Sequence, residues 1–209
     1  MWKSTLLVIA TLTFAFGVLF VSVFRTASVK YDFNPLNPEE TTTVLGDSAS
    51  QVDYYLPYPG HVLPDSPLWP LKAVRDKLWL LTNTNPSREA ELNLLFADKR
   101  LGSAEALFEK GKPEIGLSTL TKAEKYLEEA DNLEKKNREV GIDTGDFLVR
   151  IAKASLKHYE VASLILKVAP EAARPTIIQS QDYSKNVYEN ARNTLLDKGR
   201  VPPENPFNW

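Results

Sequence analysis

The chain has 209 residues, with 25 Lys and Arg against 27 Asp and Glu for a net charge of −2, and it contains no cysteine. That length accommodates one membrane anchor and one ordinary domain, and the lack of cysteine excludes disulfides, thiolate metal sites and cysteine nucleophiles. From Ser66 onward acids and bases are interspersed and nearly cancel, which argues against nucleic acid as a partner, because that requires basic residues gathered on one face.

Ser4–Phe24, STLLVIATLTFAFGVLFVSVF, is an uncharged apolar run bounded by Lys3 and Arg25. Its 21 residues, at ~1.5 Å rise each, match the ~30 Å hydrocarbon core of a bilayer. The run exceeds the ~7–15 apolar residues of a signal peptide, and Arg25 interrupts any small-residue cleavage site at its exit. Residues 1–30 are therefore expected to form an uncleaved single-pass transmembrane helix, with the lipid bilayer as partner through Ser4–Phe24. Lys3 and the α-amine nearly balance Arg25 and Lys30. From Tyr31 to Asp65, however, there are acids (Asp32, Glu39, Glu40, Asp47, Asp53 and Asp65) and no Lys or Arg. This asymmetry places the C-terminal part outside the cytoplasm, with the protein in the cell membrane.

Residues 31–53 carry Pro35, Pro38, Gly46 and the run Thr41–Thr43, with little apolar periodicity. They are expected to be a disordered acidic tether spanning on the order of 25–30 Å. The junction that follows, Tyr54–Lys72 (YYLPYPGHVLPDSPLWPLK), is rich in proline and aromatic residues. It suits an ordered junction, because prolines fix φ and aromatic rings need apolar surface to lie against.

Helical signals begin at Ser66, an N-cap candidate with Pro67 at the first helical position, and Leu71, Val74, Leu78 and Leu81 mark an expected buried stripe. Asn85 and Pro86 restart the pattern with Ala90, Leu94, Ala97, Leu101, Ala104 and Phe108 as the second stripe, ending at Gly111. A third helix runs from Pro113 to about Val140, with the seam Leu120, Ala123, Leu127 and Ala130 and a charged outer face. Gly141 is its stop. Asp143 or Thr144 caps a fourth helix through about Val168, whose wide apolar arc nominates it for the middle of the fold. Pro170 breaks it, and Pro175 opens a fifth helix that ends at Gly199. The tail 200–209, RVPPENPFNW, is too rich in proline to be helical. The expected fold class is all-α: an N-terminal transmembrane helix, a tether, and an antiparallel up-and-down bundle of about five helices over 54–199, roughly 40 Å long from ~27-residue helices.

Two motifs carry a family resemblance. Leu63, Pro64, Asp65, Ser66, Pro67, Leu68, Pro70, Leu71 and Lys72, with Trp69 at an aromatic position, form the first. Ala90, Glu91, Leu92, Leu94, Ala97, Arg100 and Leu101 form the second. Together they resemble the bacterial DUF5667 domains over roughly residues 54–135. The resemblance implies a fold and a location, and no activity or functional residues come with it.

The chemistry-bearing residues are sparse. His61 and His158 read as ordinary packed or exposed imidazoles. Neither has a Glu three residues before it (Tyr58 and Ser155 stand there), so the di-iron pattern of helical bundles is not present. Glu124, Glu128, Glu129, Asp131 and Glu134 alternate with Lys122, Lys125, Lys135 and Lys136 and read as a solvated, ion-paired face. No nucleophile elbow, phosphate loop or dinucleotide fingerprint occurs. The expectation is a non-enzymatic protein without metal or cofactor, binding or scaffolding a protein or envelope partner. Its candidate docking residues are the aromatics Tyr54, Tyr55, Tyr58, Trp69, Trp79, Phe207 and Trp209. The alternative is a ligand-sensing or regulatory bundle of a transmembrane signalling system, favoured by a cavity lined by residues such as Tyr159, Tyr183 and Tyr188.

Overall fold

The structure, a computed structural model, describes Thr11 and residues 51–209. Apart from Thr11 and residues 51–53, the expected anchor and tether lie outside the described residues, among which no helix is long and apolar enough to cross a membrane. The described chain forms five α-helices: α1 Trp69–Thr82, α2 Pro86–Glu109, α3 Pro113–Glu139, α4 Gly145–Val168 and α5 Arg174–Asp197. A 3-10 turn at Glu171–Ala173 leads into α5, and no strand occurs among the described residues.

The helix ends follow local chemistry. Asn85 caps α2 by accepting from the backbone N–H of Arg88 at 3.2 Å, with Pro86 behind it in the first turn, where its missing N–H costs nothing. Gly111 and Gly141, at φ of 68° and 84°, close α2 and α3. At each, the following residue's N–H returns to a carbonyl five back, Lys112 to Leu107 and Ile142 to Asn137, a geometry that glycine adopts without strain. The first helix starts at Trp69, later than the Ser66 signal suggests, because Ser66 instead organises the turn ahead of it. Its hydroxyl accepts from the Leu68 N–H and its carbonyl from the Trp69 N–H.

Cross-helix hydrogen bonds define the topology. Asn137 at the end of α3 reaches Pro86 at the start of α2, and Arg200 just past α5 reaches Asp146 at the start of α4, so both hairpins are antiparallel. Arg150 and His158 of α4 meet Glu91 and Asp98 of α2 in the same order, and Asn190 and Ser184 of α5 meet Asp131 and Glu124 of α3. The four long helices thus run up, down, up, down. The core has two apolar parts. One gathers Leu94, Ala97, Leu127, Leu148, Ile151 and Leu195, and the other Leu101, Phe108, Leu120, Ile165 and Ile177.

Both flanking segments strap over this bundle. Val52 is buried in the first core part and Leu56 packs on the second, while the Gln51 N–H donates to Glu160 of α4. The tail lies against α4 and α5, with Phe207 and Trp209 on Tyr159 at ring separations of 4.8 and 5.1 Å. The Tyr188 hydroxyl donates to the Pro203 carbonyl.

Helix α1 is rotated half a turn from its expected setting. Its predicted buried stripe faces solvent, with Leu71 59%, Val74 53%, Leu78 39% and Leu81 83% exposed. Trp79 takes the inner position instead, in a cluster with Leu92, Leu95 and Phe96 of α2, and its ring meets Phe96 edge-on at 6.0 Å. A tryptophan removes more apolar area from water than any one of those aliphatics, and it is this side of α1 that packs on α2. The third helix also departs from its reading as a solvated acidic face. Glu128 and Glu129 are exposed, but Glu124 and Glu134 are buried. Glu134 turns inward to accept from the Thr144 hydroxyl at 2.6 Å as well as from Arg138.

Candidate functional site

Between the two apolar parts of the core lies one polar layer, to which each long helix contributes a side chain: Asp98 from α2, Glu124 from α3, His158 from α4 and Ser184 from α5. All four residues are 0% exposed. His158 Nδ1 lies 2.8 Å from Glu124 Oε1, and Nε2 lies 3.1 Å from Asp98 Oδ1. The outer oxygens are occupied as well: Ser184 Oγ donates to Glu124 Oε2 at 2.6 Å, and the Tyr54 hydroxyl donates to Asp98 Oδ2 at 2.7 Å. Both imidazole nitrogens face carboxylate oxygens, so the arrangement is satisfied by an imidazolium donating to each side.

The electrostatics agree. Burial alone pulls the imidazole toward its neutral form, but the Glu124 charge, the hydrogen bonds to Asp98 and Glu124, and the Asp98 charge together raise His158 to about 9. Burial, followed by the charge of Asp98, pushes the Tyr54 hydroxyl well above its usual range. The layer is therefore a closed circuit of matched donors and acceptors. Such a layer costs desolvation, and in the observed alignment of the four helices each of its groups is paired.

Sequence reasoning read His158 as an ordinary imidazole and Glu124 as solvated. The readable signal was register. Asp98 falls between Leu94 and Leu101, Glu124 between Leu120 and Leu127, and His158 between Ala154 and Val161, all at the three-and-four spacing of the apolar seams.

A second feature lies at the opposite edge of α2. A cavity of about 70 Å³ opens between α1 and α2, lined by Trp69, Lys72, Arg75, Asp76, Trp79, Phe96, Lys99, Arg100 and Ser103. Lys72 donates to the carbonyls of Pro59 and Val62 at 2.7 and 3.0 Å, tying α1 to the junction. Arg75 holds Asp76 through Nε and a terminal nitrogen at 3.1 and 2.7 Å. The Arg100 guanidinium stands over Trp69 and Tyr126 at 5.4 and 4.9 Å, and its Nε is buried without a hydrogen-bond partner. Burial lowers Lys72 to about 8 against the attraction of Asp76, and repulsion from Lys99, Arg75 and Arg100 adds to the fall. Burial and then Arg75 lower Lys99.

The aromatic candidates divide. Tyr54 belongs to the polar layer, Trp79 is buried, Trp69 roofs the cleft, and Phe207 and Trp209 cover Tyr159. Tyr55 and Tyr58 remain exposed, the latter hydrogen-bonded to His61 at 3.2 Å. Among the described residues no group of acids and histidines is arranged to hold a metal ion.

Comparison with proteins of described function finds no match. Comparison with solved structures likewise finds none. A family pattern matches residues 61–198, from His61 in the junction to the end of α5, well past the stretch of about 54–135 that the motifs alone suggest. The chain belongs to the DUF5667 family, a domain of unknown function.

Proposed function

We propose that this chain is a single-pass membrane-anchored protein whose helical bundle stands outside the cytoplasm and works by binding rather than by catalysis. In this reading α1 is the contact element and the lipid surface of the envelope is the partner it meets. The observation that carries the reading is the outward stripe of Leu71, Val74, Leu78 and Leu81. Exposed Arg75 and Lys77 flank it, while the helix's one acid, Asp76, is turned inward. An apolar stripe edged by cations is the pattern of a helix lying in a bilayer interface, where leucines enter the acyl boundary and cations meet anionic headgroups. The expected anchor at Ser4–Phe24 and its short tether would keep that helix within reach of the bilayer.

The test uses the cysteine-free background. A single cysteine is placed at Leu71, Leu81 or, as control, Glu129, labelled with an environment-sensitive dye, and the full chain is reconstituted in vesicles carrying lipid-borne quenchers. Quenching at 71 and 81 but not at 129 supports the reading. Equal exposure to an aqueous quencher at all three sites removes it, and crosslinking of the same positions to a protein reassigns the surface. A reporter fused after Trp209 that is active only in the cytoplasm would overturn the orientation.

A second reading, a ligand-sensing bundle, has its own observation in the cleft between α1 and α2. A bound group there would touch both helices and bias how α1 is held.

A further inference from the structure

We propose that the cleft between α1 and α2 is a binding site for a phosphoryl oxyanion, either a free phosphomonoester or the phosphate of a lipid headgroup. The inference deepens the ligand-sensing reading of this cleft. It is independent of the outer leucine stripe, which lies on the other side of α1.

Three observations carry it. The first is charge: Lys72 and Arg75 from α1 and Lys99 and Arg100 from α2 line one small cavity, and Asp76 is the single acid among the lining residues. Four cations against one carboxylate leave an excess of positive charge on surfaces that are partly out of water, where like charges repel most strongly. The lowered Lys72 and Lys99 report that repulsion and burial together. An anion in the cleft reverses both effects.

The second is donor geometry. Arg100 is clamped by the faces of Trp69 and Tyr126, which fixes its plane, and its buried Nε has no acceptor within the protein. A fixed guanidinium with an unmet donor is suited to the tetrahedral oxygens of a phosphate, which accept forked bonds. Lys72 is positioned by the Pro59 and Val62 carbonyls, so its ammonium is already oriented by the junction. Ser103, one turn past Lys99, also lines the wall, its hydroxyl donating to the Lys99 carbonyl at 2.7 Å.

The third is space. The cavity volume of about 70 Å³ is several times the ~10–15 Å³ that one water requires. That is room for a compact polyatomic anion, while the indoles of Trp69 and Trp79 form an apolar wall suited to an ester carbon.

The experiment titrates the full chain in zwitterionic detergent with inorganic phosphate, glycerol 3-phosphate and, for comparison, acetate. Binding is followed by calorimetry and by tryptophan fluorescence, since Trp69 and Trp79 are two of the four tryptophans. In parallel, the chain is titrated with vesicles of neutral lipid or of neutral lipid doped with phosphatidic acid. Saturable binding of glycerol 3-phosphate that weakens about tenfold or more in Lys99→Gln and in Arg100→Gln, but not in the exposed Lys136→Gln, confirms the site. The same pattern with phosphatidic acid vesicles assigns the source as a lipid headgroup, and its absence there assigns a soluble ester. Acetate binding as tightly as phosphate overturns the phosphoryl assignment while leaving the ligand-sensing reading standing. Absence of saturable binding by any of them overturns both. Helical circular dichroism of each variant confirms folding, and Arg100→Lys, which keeps the charge but not the planar fork, repeats the test should Arg100→Gln unfold.

Discussion

Glu124 Oε1 accepts from His158 Nδ1 at 2.8 Å, in a bond between α3 and α4 whose two residues are both 0% exposed. With Asp98 on the other ring nitrogen, the imidazolium is the one cation of a layer holding two carboxylates. Removing it strands buried negative charge, so His158→Gln is expected to cost about 3–5 kcal/mol, the range for breaking a buried ion pair. Urea denaturation measures this. Because the stranded groups are partners, the double variant Glu124→Gln/His158→Gln should lose less than the sum of the singles by more than about 1 kcal/mol. Simple additivity would mean that the layer does not act as a unit.

The same layer makes stability depend on pH with a definite sign. A histidine raised from its ordinary 6.5 to about 9 holds a proton in the folded state that the unfolded chain has released. Its contribution is complete below about pH 6.5 and disappears as pH rises to about 9, a fall on the order of 3 kcal/mol. Glu105 and Asp131, raised by burial to about 7 and about 6, also weaken the fold as pH rises, but their effect is finished near pH 7. Between pH 7 and pH 9 the descending contribution is that of His158, while the lowered Lys72 and Lys99 act there with the opposite sign, so thermal melts are read as the difference in slope between the parent and each variant. The descent in that window should flatten in His158→Gln and persist in Glu105→Gln. Tyr54, raised above its usual range, extends the decline beyond pH 10.

What was legible in the sequence follows from which physics is local. Helix limits were legible because Asn85, Pro86, Gly111, Pro113, Gly141, Pro175 and Gly199 act on their own backbones. The polar layer was less so, because Glu124 looks like its neighbours Glu128 and Glu129 until its place on the seam of Leu120 and Leu127 is weighed above its charge. The orientation of α1 was not legible at all. Periodicity finds an apolar stripe but does not say whether that stripe meets the core, and Trp79 competes for the same inward position from the other side of the helix. The setting of the tail was not legible either, since Pro-rich spacing carries no contact information.

The tail now offers a direct test. Trp209 packs on Tyr159 at 5.1 Å and edge-on against Tyr188 at 5.7 Å. Each aromatic pair is worth ~0.5–1.5 kcal/mol beyond the area it buries, so Trp209→Ala should destabilise the bundle by about 2 kcal/mol, read as a lower denaturation midpoint. Phe207→Ala should act in the same direction through Tyr159. Unchanged stability in both variants would assign these rings to a partner rather than to the fold.

Neighbouring residues of α1 should behave in opposite ways. Trp79 is 4% exposed and packs among Leu92, Leu95 and Phe96. Its replacement by Ala removes a large ring from a filled cluster and should cost about 3–5 kcal/mol. Leu71 and Leu81 lie on the outer face, 59% and 83% exposed, so Leu71→Ser and Leu81→Ser should stay within about 0.5 kcal/mol of the parent. If the outer stripe meets lipid, those two variants instead lose dye quenching by lipid-borne quenchers, reported from a cysteine at Val74 in each background. Their affinity for glycerol 3-phosphate should stay unchanged, because the cleft lies on the inner side of the helix. A large loss of stability in Leu71→Ser or Leu81→Ser would mean that α1 turns this face to the bundle, and the lipid-surface reading would fall with it.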